Sequence, residues 1–491
     1  MAMIPCRRHA LALALTGVFA ASVSATEYPF GILVDSGSAV TLERGDLVSV
    51  SGPAAGRAIT VAARGSLEAA GVRVENRTSG NAAGYAYGLL AFDGSDASLR
   101  GSSVTTRGDR SVGVQLQGGA RATLQEVDIV TGGAGSIGVT ARAGSLVGLN
   151  LARLRIGGAD SRGLVAQGEG ATLVGRVDVD HSGVKSAQGV ASAVDIRDGG
   201  DVGLSDSSIL SRQPGVSAVS IDGDASVFTL NRGQIAAAGE GAVALAGSGG
   251  YAFLTAVDLH GNAAAIRAVG PGAGMLRVDL FGGSRATGAI ESGRASLQVR
   301  AEDSDLLGDV RRMGEGALDV TLTRSRWVGR GDAVGSIALD ESAWSPTGDS
   351  TVGRLSMAGH ARIAFDDAAG FSQLRIGQLD NPDNEGAIDL RARLDGGGAL
   401  ARQATDRVLV DGDVNGTTTL TVTAVGGDGG ATVPGSGGGI SVAQVGGMAA
   451  VESFRLAGDY VAVGPWRYGL RAYAPGEADA SQRLVEGAGD G

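Results

Sequence analysis

Four tetrapeptides decide the fold: Tyr87-Gly88-Leu89-Leu90, Val112-Gly113-Val114-Gln115, Ile137-Gly138-Val139-Thr140 and Arg162-Gly163-Leu164-Val165. Their glycines stand 25 residues apart each time. Each unit carries a second short apolar segment: Ala97-Ser98-Leu99, Ala122-Thr123-Leu124, Val147-Gly148-Leu149 and Ala171-Thr172-Leu173. A third follows: Val104-Thr105, Ile129-Val130, Leu154-Arg155-Ile156 and Val177-Asp178-Val179. Downstream, alanine takes the glycine's place in Ala193-Val194, Ala218-Val219, Ala242-Val243, Ala265-Ile266 and Ala289-Ile290. Upstream, Gly31-Ile32 and Ala58-Ile59 read as less regular copies.

Three alternating strands per unit, separated by Gly, Asp, Asn and Ser, describe one turn of a three-faced coil. The expected fold is all-β: a right-handed parallel β-helix with a C-terminal β cap. Each strand would pair with its equivalent one coil away, about 4.8 Å along the axis. Residues 27–340 would then form roughly 13 coils and a rod of about 60 Å. The small residue opening each unit points to a tight corner or a crowded interior.

Composition agrees. The chain has 84 glycines in 491 residues, 43% hydrophobic residues and only 4% aromatic ones, so the core must be Val, Leu, Ile and Ala. Glycine at this density costs about 1 kcal/mol per interior helical position, which argues against helices. A propeller needs roughly 40 residues per blade. The net charge of −11 argues against a broad basic face for nucleic acid.

The N-terminus reads as a signal peptide. Arg7, Arg8 and His9 form its charged region, Leu11 to Val18 its apolar core, and Val23-Ser24-Ala25 its cleavage site, with cleavage after Ala25. The apolar run is too short to span a bilayer. Cleavage removes Cys6, the sole cysteine, so the mature chain would have no thiol chemistry. The expected organisation is a signal peptide over 1–25, β-helix repeats over 26–340, a β-helix end and cap over 341–475, and a polar tail over 476–491.

From about Trp327 the repeat blurs. Trp344, Gly348-Asp349-Ser350-Thr351-Val352-Gly353-Arg354-Leu355, Ala361-Arg362-Ile363-Ala364-Phe365 and Phe371-Ser372-Gln373-Leu374-Arg375-Ile376 follow in order. Then come Asp406-Arg407-Val408-Leu409-Val410, Thr418-Thr419-Leu420-Thr421-Val422, Phe454-Arg455-Leu456, Gly458-Asp459-Tyr460-Val461 and Gly464-Pro465-Trp466-Arg467-Tyr468-Gly469-Leu470. This series resembles the end of pertactin-like autotransporter passengers. The resemblance implies an autochaperone region with Phe454, Leu456, Tyr460, Trp466, Tyr468 and Leu470 as its motif residues. It also implies export, to the cell surface or outer membrane or as a secreted protein. An outer-membrane translocator barrel is expected as a partner supplied outside this chain, without which the passenger would stay periplasmic. A physical reading agrees, since a solenoid ends in a bare strand edge that needs a cap. The aromatics gathered in this region suit a small non-repeating core.

Three Arg-Gly-Asp tripeptides occur, at Arg44-Gly45-Asp46, Arg107-Gly108-Asp109 and Arg330-Gly331-Asp332. They are candidate contacts for a host cell-surface receptor or matrix protein. Arg107-Gly108-Asp109, at the end of a repeat, is best placed for exposure. The plainer reading is turn vocabulary in an arginine-rich chain.

Catalytic signals are weak, and the expected protein is an adhesin or structural rod rather than an enzyme. Gly348-Asp349-Ser350 echoes a serine nucleophile, but Thr351 replaces the usual glycine and no triad accompanies it. Asp366-Asp367 with Gly359-His360 could serve a β-helical polysaccharide lyase or hydrolase, the rival assignment. Asp380 to Gly386 fails as a calcium loop because Pro382 occupies a ligand position, and the glycines of 435–439 lack a following lysine. No cofactor or metal is expected.

Overall fold

The computed structural model describes residues 25–485, apart from 53–55, 83, 188, 271–273, 366–369, 434, 436, 475–476 and 478–479. The signal peptide through Ser24 therefore lies outside the described residues, and so does Asp366-Asp367. Ala25 is described and exposed.

The chain winds as a parallel β-helix. Nearly every described strand joins one continuous sheet whose paired neighbours lie one coil apart. Three ladders result. The first face begins at Ile32–Val34 and passes through Ser111–Leu116 and Ser192–Arg197 to Ala443–Val445. The second begins at Ala39–Leu42 and passes through Arg121–Gln125 and Leu318–Thr323 to Val414–Gly416. The third runs from Glu27–Tyr28 through Asp128–Thr131 to Phe454–Leu456. Their inward Val, Leu, Ile and Ala side chains form a single core along the coils. Burying that stripe favours each strand by about 25 cal/mol per Å² of apolar surface.

The glycine register has a structural cause. Pairing on the first face joins Val112 to Ile137 and Val114 to Val139 but skips Gly113. The backbone bulges there, and Gly113 sits against the core beneath its neighbour coil. A Cβ at Gly113 would lie 2.5 Å from the Gly138 carbonyl oxygen and 2.7 Å from Ile129 Cγ2. Gly88 meets Gly113 in the same way at 2.5 Å, and Gly138 meets Gly163 at 2.8 Å. Close backbone approach, not a left-handed dihedral, thus excludes a side chain at these rungs. Ala193, Ala218 and Ala265 continue the column fully buried.

Some rungs differ from the sequence alignment. Leu245 pairs with Val219, so Ala244-Leu245 fills the place expected for Ala242-Val243. Leu173 pairs with Val147 and Val179 with Leu154, which moves the second and third strands of that unit by two residues. A two-residue slip keeps the inward face inward, so the apolar alternation could not distinguish the registers.

The coils also pass residue 340 without a break. Val334–Asp340 pairs with Ser350–Ala358 and thence with Gln373–Asn381. On the third face Leu306, Trp327, Trp344 and Ile363 are successive rungs, separated by 21, 17 and 19 residues. The repeat blurs because its coils shorten. Trp327 and Trp344 accordingly belong to the helix core and not to a separate aromatic core. They are fully buried and stacked at 4.4 Å between centroids, 3° from parallel.

The corner between the second and third faces turns on one left-handed residue per coil, such as Gly101, Glu126, Leu151, Asp206 and Asp303. Ser102, Ser207, Ser284, Ser304 and Ser325 then repair the broken ladder. Ser207 Oγ, for instance, accepts from the Val177 amide at 3.0 Å and donates to the Ser205 carbonyl at 2.8 Å. Among the described residues no helix is long and apolar enough to cross a membrane.

Candidate functional site

The C-terminal end of the helix is built from residues the motif contains and from residues it does not. Phe454 and Leu456 form the last rung of the third face, opposite Thr418 and Leu420. Both are half-buried. Val461–Val463 and Trp466–Tyr468 then form an antiparallel hairpin of their own. Tyr468 latches it to the coils. Its hydroxyl accepts from the Gly430 amide at 2.7 Å and lies 3.0 and 2.8 Å from the Leu394 and Gly430 carbonyls, to one of which it donates. Tyr460, Trp466 and Leu470 stay partly exposed, and Arg467 lies over the Tyr460 ring at 4.6 Å.

Asp406 is the polar centre of this end. It is fully buried and accepts from the Ser372 amide, the Arg391 amide and Arg391 Nε, each at 2.8 Å. These donors satisfy the buried carboxylate oxygens in place of water. Asp406 ties three chain segments together where the coils lengthen. Arg407 beside it is buried too, and burial pushes its guanidinium below the usual arginine range. The Asp406-Arg407-Val408 motif was legible in sequence, but Arg391, its distant partner, carried no signal.

The polar tail is not wholly free. Gln444 on the last first-face strand accepts from the Leu484 amide at 2.7 Å and donates to the Gln482 carbonyl at 2.8 Å. Val485, which follows Leu484, is buried.

Residues 350–470 match the family of type 1 autochaperone domains. The end of the β-helix is therefore an autochaperone-type domain. Among solved structures the chain is similar to the Hap adhesin of Haemophilus influenzae, at 12% identity and a TM-score of 0.39, covering 89% of this chain and 58% of the adhesin. It is also similar to the autotransporter UpaB from E. coli strain CFT073, at 13% identity and a TM-score of 0.27, covering 81% of this chain and 83% of UpaB. The chain thus spans less than two thirds of the length of the Hap adhesin. No curated protein matches its sequence.

The three Arg-Gly-Asp tripeptides lie in the coils, at separate places. Asp46 is buried, and its carboxylate accepts from the Thr26 amide at 2.9 Å and the Glu43 amide at 3.0 Å. Arg44-Gly45-Asp46 therefore presents no free acid. Arg330 pairs with Asp309 at 3.2 Å, and Gly331-Asp332 is a strand held in register with Val310 and Arg311. Gly331 is buried beside the two stacked tryptophans, while Asp332 is exposed. Arg107 and Asp109 are exposed as expected, but Gly108 is buried, and a Cβ there would meet the Thr78 carbonyl oxygen at 2.0 Å. Asp109 Oδ1 accepts from the Ala134 amide at 2.8 Å. This tripeptide is a coil corner and not a protruding loop.

The Gly348-Asp349-Ser350 echo resolves into structure. Ser350 is buried, and its hydroxyl donates to the Gly348 carbonyl at 3.0 Å and accepts from the Gly331 amide at 3.1 Å. Asp349 accepts from the Gln373 amide at 2.8 Å. His360 is exposed on a corner, 3.7 Å from Glu385. Among the described residues no group of three or more His, Cys, Asp or Glu is placed to hold a metal ion.

Proposed function

We propose that this exported passenger works as a stiff, adhesin-type rod on the cell surface, with no catalytic activity of its own. The observation that carries the reading is the autochaperone match over residues 350–470 at the end of an unbroken parallel helix. Continuous ladders resist bending, and coil corners display side chains at fixed intervals. Commitment of the Ser350 hydroxyl to two backbone hydrogen bonds supports the non-enzymatic reading. Receptor contact through Arg-Gly-Asp is proposed only for Arg107-Gly108-Asp109, where both charged side chains reach solvent.

The test is adhesion of purified residues 26–491 to epithelial cells and to immobilised matrix proteins. Saturable binding is expected. Absence of binding to either surface overturns the adhesin reading. Binding unchanged by Asp109→Ala removes the Arg-Gly-Asp contact while leaving the rest.

A further inference from the structure

The corner serines follow a rule that the first coil breaks. Strand register makes Thr26, Asp46, Val72 and Ser102 successive rungs of one corner column. The same column passes through Val177, Ser207, Val257 and Ser284 to Ser304, Ser325 and Ser342. Along it a serine accepts the amide of the rung before. Ser102 accepts from Val72, Ser207 from Val177, Ser284 from Val257, Ser325 from Ser304 and Ser342 from Ser325, at 3.0 or 3.1 Å. At the first pair an acid takes the serine's place. Asp46 Oδ1 accepts from the Thr26 amide at 2.9 Å.

A neutral amide does not call for a charge. The serines satisfy it with a hydroxyl whose own proton goes to a carbonyl two residues back, as from Ser102 to Arg100 at 2.9 Å. Asp46 is buried, and its second oxygen accepts from the Glu43 amide at 3.0 Å. Among the described residues no cationic side chain pairs with it. A buried charge without a counter-charge is costly. Cleavage after Ala25 would supply the counter-charge, because the Thr26 nitrogen then becomes an α-amino group.

We propose that Asp46 is the binding site for the α-ammonium group of the mature chain. Hydrolysis by a signal peptidase adds one water across the Ala25–Thr26 amide. The water's oxygen goes to Ala25, which leaves with the signal segment as a carboxylate. Its two protons go to the Thr26 nitrogen, which ends as an ammonium. A neutral hydrogen bond thereby becomes an ion pair. It fastens the first coil where the Leu47 amide already donates to the Thr26 carbonyl at 2.9 Å. The surroundings fit a cation. An open groove of about 470 Å³ runs along the corner beside Thr26, lined by Glu27, Asp46, Glu126 and Asp128 against one base, Arg73. The two remaining ammonium protons face that groove and stay hydrated. The acid of Arg44-Gly45-Asp46 thus has a partner within the chain. This proposal rests on cleavage after Ala25, which belongs to the export reading.

The test uses the exported chain, expressed with its own signal peptide and collected after processing. The mature chain has two amines: the Thr26 α-amine and the side chain of Lys185, the only lysine, which is exposed. Trace labelling with acetic anhydride at pH 7, read by peptide mass spectrometry, compares the two with Lys185 as internal standard. The Thr26 amine should react about tenfold more slowly in the native chain than in Asp46→Ser, because a contacting opposite charge lowers the free-amine fraction by about that factor. Asp46→Ser installs the residue found at the other corners and keeps an acceptor for the amide. A recombinant chain beginning at Ala25 carries its amine one residue away, should react like Asp46→Ser, and covers the case in which that variant does not fold. Equal reactivity of the native chain and either comparison chain overturns the proposal. N-terminal sequencing separates the two readings. A mature chain that begins elsewhere than Thr26 removes the cleavage reading and the ion pair with it, whereas a Thr26 start with indifferent labelling removes the ion pair alone.

Discussion

Gly113→Ala adds one methyl to a rung where coils touch backbone to backbone. The new Cβ would stand 2.5 Å from the Gly138 carbonyl oxygen, where ordinary contact begins at 3.4 Å. The coils must part locally by about 0.9 Å (3.4 minus 2.5), because interiors this dense have no slack. Ile129 Cγ2 at 2.7 Å blocks the inward escape. Overpacking of this kind costs about 1–3 kcal/mol. Stretching one or two ladder hydrogen bonds adds about 1 kcal/mol. The expected loss is therefore about 2–4 kcal/mol, localised to the neighbouring coils because each coil contacts only its neighbours. Hydrogen exchange read by mass spectrometry on residues 26–491 should show faster exchange over 104–142 and unchanged protection beyond Ser217. Gly148→Ala is the matched control. Gly148 faces outward on the second face, and its nearest contact would be 3.7 Å. Relief of chain entropy should make that change neutral or stabilising by about 0.4–1 kcal/mol. If both alanines behave alike in denaturant unfolding, the packing account of the glycine register is wrong.

Further outcomes follow from other rungs. Trp344→Phe keeps the stack but leaves the Gly329 carbonyl without the indole N–H that donates to it at 3.0 Å, and should cost about 1–3 kcal/mol in urea unfolding; a loss of under 0.5 kcal/mol would contradict it. Leu151 is exposed with φ +57°, so Leu151→Gly should raise the melting temperature by relieving about 1 kcal/mol of left-handed strain. His181 is fully buried, and burial holds its imidazole below the usual histidine value, against smaller upward effects of the Ser161 carbonyl and Asp180. The unfolded chain then binds the proton more readily, so stability is full above the unfolded value of about 6.5 and falls as pH drops below it. His181→Ser should flatten the melting temperature between pH 7 and 5, and an unchanged slope would assign the acid sensitivity elsewhere. Asp406→Ala strands Arg391 in the cap and should cost about 3–5 kcal/mol. Its refolding rate should fall as well if residues 350–470 template the coils.

What the sequence made legible was whatever repeats. Inward apolar alternation is a local property, so three faces could be read from the segments after Gly88, Gly113, Gly138 and Gly163. Register to within two residues could not be read, because Val177 and Val179 both face inward, and only stacking selects Val179 opposite Leu154. Tertiary placement of the Arg-Gly-Asp signal was likewise hidden. Arg107-Gly108-Asp109 looks like a turn in sequence, yet its glycine is buried by a close backbone approach as Gly113 is, here from the preceding coil at Thr78. The spacing of Gly88, Gly113, Gly138 and Gly163 is legible in sequence, but the reason each must be glycine is not, because the atom that excludes a side chain at Gly113, the Gly138 carbonyl oxygen, belongs to the neighbouring coil.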